Sequence, residues 1–203
     1  MPMKRLLTLV LAAMLALSLT ACGAQSETGS GYPGDDGTAQ GGLNTVMHTE
    51  FFTFTITGAA LHSTLDDYVP GLGQVVLAVD MEVENTFSET IPMFDTDFLL
   101  QWGNGEEDQA YCLLDTVADD QLPERYDLEK GQARSGRLYF AVPQDVEDFT
   151  LTYLERFDDG TTGDEFSVTF TADASGLPQA PQVPDEAPDE APEVPSSGEA
   201  DAA

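Results

Sequence analysis

Over the middle of this chain, apolar and polar residues alternate with a period of two. Phe52, Phe54 and Ile56 alternate with Thr53, Thr55 and Thr57, and Val75, Leu77, Val79, Met81 and Val83 alternate with Val76, Ala78, Asp80, Glu82 and Glu84. The pattern returns at Leu138, Phe140 and Val142, at Phe149, Leu151 and Tyr153, and at Phe166, Val168 and Phe170. Successive side chains of an extended chain point to opposite faces, so each run predicts a strand with one face buried and the other in water. Phe98 to Trp102 is a further strand of ambiguous facing, and Gln109 to Leu114 reads either as a strand or as the start of a short helix. Turn residues punctuate the runs at Pro70-Gly71-Leu72-Gly73, at Asn85-Thr86-Phe87-Ser88, at Gly103-Asn104-Gly105, and in a hairpin loop from Asp158 to Asp164. About seven short strands with no long helix predict an all-β, antiparallel sandwich over residues 50–172. The polar, acidic stretch from Asp115 to Lys130, which holds Pro123, is expected to be a long crossover connection.

The flanks lack this pattern. Residues 23–49 are rich in Gly, Ser, Thr and Asp, too poor in apolar surface to order themselves; residues 22–49 are read as a flexible tether with a typical span of roughly 30 Å. From Asp173 the chain turns to Pro, Ala, Glu and Asp, and Pro184-Asp185-Glu186-Ala187 is echoed by Pro188-Asp189-Glu190-Ala191. Residues 173–203 are therefore expected to form an extended, disordered acidic tail. At the start, Lys4 and Arg5 precede an apolar run from Leu6 to Leu17, closed by Leu19-Thr20-Ala21-Cys22. A basic n-region, a short apolar h-region and small residues before the cut read as a secretory signal peptide over residues 1–21. The Cys directly after the small pair makes this a lipobox, with Cys22 the lipidated first residue of the mature chain. The apolar run is shorter than the roughly 20 residues a membrane span needs. The expected location is the extracytoplasmic face of a bacterial membrane, held by lipid.

Charge narrows the partners. The chain carries 37 acidic and 7 basic residues, which excludes phosphate-dependent nucleic-acid binding. It also repels anionic lipid, so acyl chains and not a basic patch must hold the protein to the membrane. Cations and basic protein surfaces remain compatible. Cys112 is the sole thiol besides Cys22; once Cys22 is lipidated no intramolecular disulfide can form, and the domain is held by packing.

Two segments carry a family resemblance. Tyr68-Val69-Pro70-Gly71-Leu72-Gly73-Gln74 leads into Val75 to Thr86, and Leu128-Glu129-Lys130-Gly131 precedes Gly136 to Pro143 and then Phe149 to Tyr153. This glycine, strand, Glu84-Asn85-Thr86 arrangement resembles small bacterial lipoproteins with an immunoglobulin-like domain, of the immunoprotective extracellular protein-like type. The resemblance covers about residues 50–172 and implies an immunoglobulin-like sandwich at the surface of a bacterium. It implies no catalytic residues. Gly before the strand lets the chain reverse, and Asn85 is suited to a left-handed turn or to bonding nearby backbone.

Candidate chemistry is sparse. His48, in the tether, and His62, at the end of the first strand, are the two histidines. His62, Cys112 and Arg125 occur in the chain order of a sortase-like cysteine transpeptidase, although the Thr-Leu-x-Thr-Cys approach to the nucleophile is absent. Calcium, which takes six to eight oxygens, has candidate ligands in Asp158, Asp159 and Asp164, in Asp95 and Asp97, and in Glu106, Glu107 and Asp108; none matches an EF-hand. Tyr68, Tyr111, Tyr126 and Tyr139 are candidate contact residues for a protein or glycan, or sandwich tyrosines. No catalytic, cofactor or metal residue is assigned. The preferred reading is a non-catalytic binding or accessory lipoprotein with an unidentified ligand. The alternatives are a calcium-dependent adhesion or assembly module and the sortase-like enzyme.

Overall fold

The structure is a computed structural model that describes residues 29–65 and 68–178. The signal peptide, Cys22 and residues 179–203 lie outside the described residues. Twelve strands are present among them: β1 (Ser30–Gly31), β2 (Thr38–Gly41), β3 (Val46–His48), β4 (Phe52–His62), β5 (Gln74–Asn85), β6 (Ile91–Phe94), β7 (Phe98–Gln101), β8 (Gln109–Ala110), β9 (Arg125–Leu128), β10 (Ala133–Pro143), β11 (Asp148–Arg156) and β12 (Thr162–Thr171). A single 3₁₀ turn, Asp95–Asp97, links β6 to β7.

The strands form two five-stranded sheets in the orders β1-β3-β4-β5-β10 and β2-β12-β11-β7-β8, with a two-stranded ribbon of β6 and β9. The inward faces are those the alternation predicts. Phe52, Phe54 and Ile56 of β4, Val79, Met81 and Val83 of β5, Leu151 of β11 and Phe166 and Val168 of β12 share one buried core. Each such side chain contributes roughly 1.5–3 kcal/mol by leaving water. Phe54 is the hub of an aromatic cluster, edge-on to Phe98 at 5.3 Å and in contact with Tyr153 and Phe166. Asn85 bonds backbone rather than taking a left-handed turn: its Nδ2 donates to the carbonyls of Glu89 and Leu128, and its Oδ1 accepts from Phe87 N–H. It thereby pins the β5–β6 loop to the ribbon.

Four expectations change. Residues 29–49, expected in a flexible tether, supply β1, β2 and β3 to the two sheets. Their glycines serve close packing. A Cβ at Gly31 would strike Met47 Sδ, and one at Gly41 would lie 2.6 Å from Thr45 Cγ2 and 2.7 Å from Met47 Cε. Met47 and Ala39 are buried in a core built by other strands, so the segment needs little apolar surface of its own. Secondly, the sheets are mixed, because β1 runs parallel to β3 and β2 parallel to β12. Thirdly, the start of the expected tail belongs to the sandwich: Leu61 N–H donates to the Asp173 carbonyl and Leu177 packs on the core. Fourthly, Val76 and Ala78, expected in water, are buried with Tyr139 on the outer face of the first sheet. Leu65, Tyr68, Leu113, Val117 and Ala118 from two loops cover them.

The register fixes the two ends of the sandwich. At one end Phe52 pairs with Asn85 and its ring meets Tyr153. At the other, His62 pairs with Val76 and Gly176 lies against the Leu61 carbonyl. The described chain enters through β1 heading towards the Phe52 end, parallel to β3, and leaves beside His62.

Candidate functional site

The Phe52 end carries an aromatic cleft of about 370 Å³, within the size range of small-ligand sites. Five segments build it. Phe51 precedes β4 and Phe52 opens it, Phe87 follows β5, Ile91 to Phe94 form β6, Asp97 closes the 3₁₀ turn, and Tyr153, Leu154 and Arg156 end β11 beside Asp158. Phe52 faces the core, so its neighbour Phe51 is turned the other way and meets Phe87 at 5.4 Å and Phe157 at 5.7 Å, both edge to face. Pairs of this kind are worth about 0.5–1.5 kcal/mol beyond their buried area, which holds the rings in place around a partly open space.

Charge at the cleft is set by Asp97. Its Oδ2 accepts the Phe94 N–H at 2.9 Å, capping the 3₁₀ turn. Burial raises its carboxyl above the ordinary range, against the lowering effect of the Phe94 N–H and of Arg156. Burial likewise pushes the Tyr153 phenol up, helped by the negative charges of Asp97 and Glu155. Asp95, at the start of the same 3₁₀ turn, is 2 % exposed, and both its carboxylate oxygens lack a hydrogen-bond partner. Glu155, 3 % exposed, is satisfied: its Oε1 accepts Glu50 N–H at 2.7 Å and its Oε2 accepts Asp164 N–H at 3.2 Å.

The residues singled out from the sequence do not assemble. His62 pairs with Val76 at the opposite end of the sandwich. Arg125 sits on the ribbon with its guanidinium 5.7 Å from the Phe94 ring centroid and 3.8 Å from Asp127. Cys112 is a free thiol, 4 % exposed, and burial pushes it up to about 12; a nucleophilic Cys needs an exposed, electropositive setting that lowers it. His48 is in β3, stacked on Tyr32 at 4.1 Å. Among the described residues no group of three or more His, Cys, Asp or Glu side chains is placed to hold a metal. Asp159 instead closes its own turn on Thr161, and Asp108 accepts Gly105 N–H. Tyr139 and Tyr126 are core residues, Tyr68 is half-buried and Tyr111 is exposed.

Of the sequence candidates, only Asp97 and Asp158 line the cleft. Phe51, Phe87, Phe94, Tyr153 and Arg156 were not recognised as a group, since they come from distant segments. One signal was available: the doublet Phe51-Phe52 breaks the β4 alternation and places a large ring out of phase.

Residues 42–164, more than half of the chain and the whole of the cleft, match the family described as "Domain of unknown function (DUF4352)". The chain belongs to the DUF4352 family. No curated protein matches it in sequence. Among solved structures, the yjhA protein of Bacillus subtilis is similar to this DUF4352 member at 16 % identity, covering 64 % of this chain and 98 % of that one with a TM-score of 0.51. A Bacillus subtilis protein described as "putative lipoprotein (ycdA)" is 20 % identical over 64 % of this chain and 38 % of its own, with a TM-score of 0.49. An uncharacterized β-sandwich protein of Clostridium difficile is 10 % identical over 74 % and 99 %, with a TM-score of 0.40. The first of these supports the sandwich fold of the DUF4352 domain and nothing beyond it. Among the described residues no helix is long and apolar enough to cross a membrane.

Proposed function

We propose that this protein is a lipid-anchored, non-catalytic binding module on the extracytoplasmic face of a bacterial membrane, and that it engages its ligand through the aromatic cleft. The cleft carries the reading: a concave, ring-lined space with a few polar groups is the form that ligand sites take. The resemblance of Tyr68–Thr86 and Leu128–Tyr153 to small surface lipoproteins with immunoglobulin-like domains supports the same reading.

The anchor and the cleft are tested separately. Cys22→Ala is expected to release the protein from the membrane fraction or to leave an uncut precursor; unchanged fractionation refutes the anchor. Indole, a neutral aromatic probe, is expected to bind saturably by ligand-observed NMR, and a Phe51→Ala/Phe87→Ala variant to lose that binding. Equal binding by a folded double variant removes the cleft as the site.

A further inference from the structure

The charge around the cleft is lopsided in a way that selects a ligand. Its lining holds two acids, Asp97 and Asp158, against a single base, Arg156. Asp97 Oδ2 is taken by the Phe94 N–H, and its Oδ1 makes no hydrogen bond among the described residues. Asp95, two residues away in the same 3₁₀ turn, is buried with both oxygens unpartnered. Glu155 contributes less, because two backbone N–H groups already solvate it. The walls are aromatic, and ring faces attract cations. The protein already uses this attraction at the cleft rim, where the Arg125 guanidinium stands over the Phe94 ring at 5.7 Å. A half-buried carboxylate with a free oxygen, walled by rings, in a chain of formal net charge -30, is complementary to a positive group on an apolar body.

We propose that the cleft takes an organic cation, an ammonium or guanidinium group on an apolar stem, with Asp97 as its counter-ion. The stem lies among Phe51, Phe87 and Tyr153, and the charge meets Asp97. The net negative charge of the chain steers such ligands to it. The same chemistry can arrive as a free amine or as a Lys or Arg side chain of a protein. The proposal rests on the reading of the cleft as a binding site.

The test titrates the full-length protein, in detergent, with benzylammonium, with the neutral isostere benzyl alcohol, and with Nα-acetyl-lysine methylamide. Benzylammonium is expected to bind about tenfold more tightly than benzyl alcohol, the size of a desolvated cation–ring or charge contact. Asp97→Asn keeps an acceptor for the Phe94 N–H, so it should remain folded, and it is expected to abolish that preference. Arg156→Gln, on an exposed side chain, is expected to tighten benzylammonium severalfold by removing the competing charge; it serves as the deciding variant if Asp97→Asn melts early. Binding of the lysine derivative at comparable strength identifies a protein side chain as the ligand, and its exclusion identifies a free amine; both agree with the proposal. Equal affinity for benzylammonium and benzyl alcohol, or a preference unmoved by both variants, overturns the cationic ligand but leaves the cleft as a binding site. Failure of every probe, charged and neutral, overturns the cleft reading as well.

Discussion

Replacing Asp95 with asparagine is expected to make the protein more stable at neutral pH. Asp95 is held at the start of the 3₁₀ turn by the pairing of its own N–H with the Glu124 carbonyl at 3.2 Å. That placement buries a carboxyl whose two oxygens find no donor. Burial raises its affinity for a proton against the lowering effect of the nearby Thr96 N–H, and the neighbouring Glu124 and Asp97 charges act with burial. A buried polar group without a partner costs about 1–3 kcal/mol, more when charged, so removing the charge should return roughly 2 kcal/mol, or about 4–8 °C in Tm for a domain of this size. The sign with pH follows from linkage. A carboxyl whose folded-state pKa lies above its unfolded value binds its proton more tightly when folded. Its share of stability is then complete below the unfolded value of 3.8 and declines as pH rises through the raised folded value. The asparagine variant does not titrate at this position, so its advantage over the wild type should be small near pH 3.5, open above it and level off by neutrality. Urea unfolding of both proteins at pH 3.5, 5 and 7 measures the gap directly, since the other carboxylates cancel in the difference. A variant less stable than the wild type at pH 7, or a gap that does not change with pH, would refute the reasoning and show that Asp95 is compensated by a bound water or cation.

Three further outcomes are expected. Glu155→Ala, which strips the acceptors from Glu50 and Asp164 N–H, should cost about 3 kcal/mol or more in urea unfolding, with Glu155→Gln retaining much of the loss. Gly131→Ala places a side chain at φ 71° in the turn between β9 and β10, and should lower stability by roughly 1–2 kcal/mol; the loss should appear in thermal melts with no change of fold by circular dichroism. Cys112, with its thiol pushed up to about 12 by burial, should resist alkylation by iodoacetamide at pH 8 in the native protein and react once urea unfolds it.

The long strands were legible because one physical cause, burial of a single face, writes a period-two pattern into β4, β5, β10, β11 and β12. The N-terminal strands were not, because β1, β2 and β3 take their stability from a core made elsewhere. Gly31 and Gly41 look like flexibility in the sequence and are close contacts with Met47 and Thr45 in the structure. Val76 and Ala78 sit on the predicted outer face, but the loop before β5 and a second loop some forty residues on cover them. The cleft was harder still. Its rings come from segments between Phe51 and Tyr153 that no local spacing connects, and only Asp97 and Asp158 had been singled out. Cys112 shows the converse: a residue type that suggests chemistry is a small apolar filler once its burial is known.

The crossover between β8 and β10 has a consequence for how this protein behaves in a crowd. β10 is an outermost strand, eleven residues long, and an uncovered strand of that length invites pairing with another chain. Here the covering segment occupies the row: Leu113 N–H donates to the Tyr139 carbonyl, Leu122 N–H to the Arg137 carbonyl, and Arg137 N–H to the Asp120 carbonyl. The Arg137 guanidinium bonds Asp80 and Asp120, at 2.6 Å and 2.9 Å, locking the segment down. The other outermost strands, β1, β2 and β8, are two to four residues long, too short to template a neighbour. Among the described residues, a partner that seeks to add a strand along the Arg137–Tyr139 stretch of β10 must therefore first displace the Leu113–Leu122 segment.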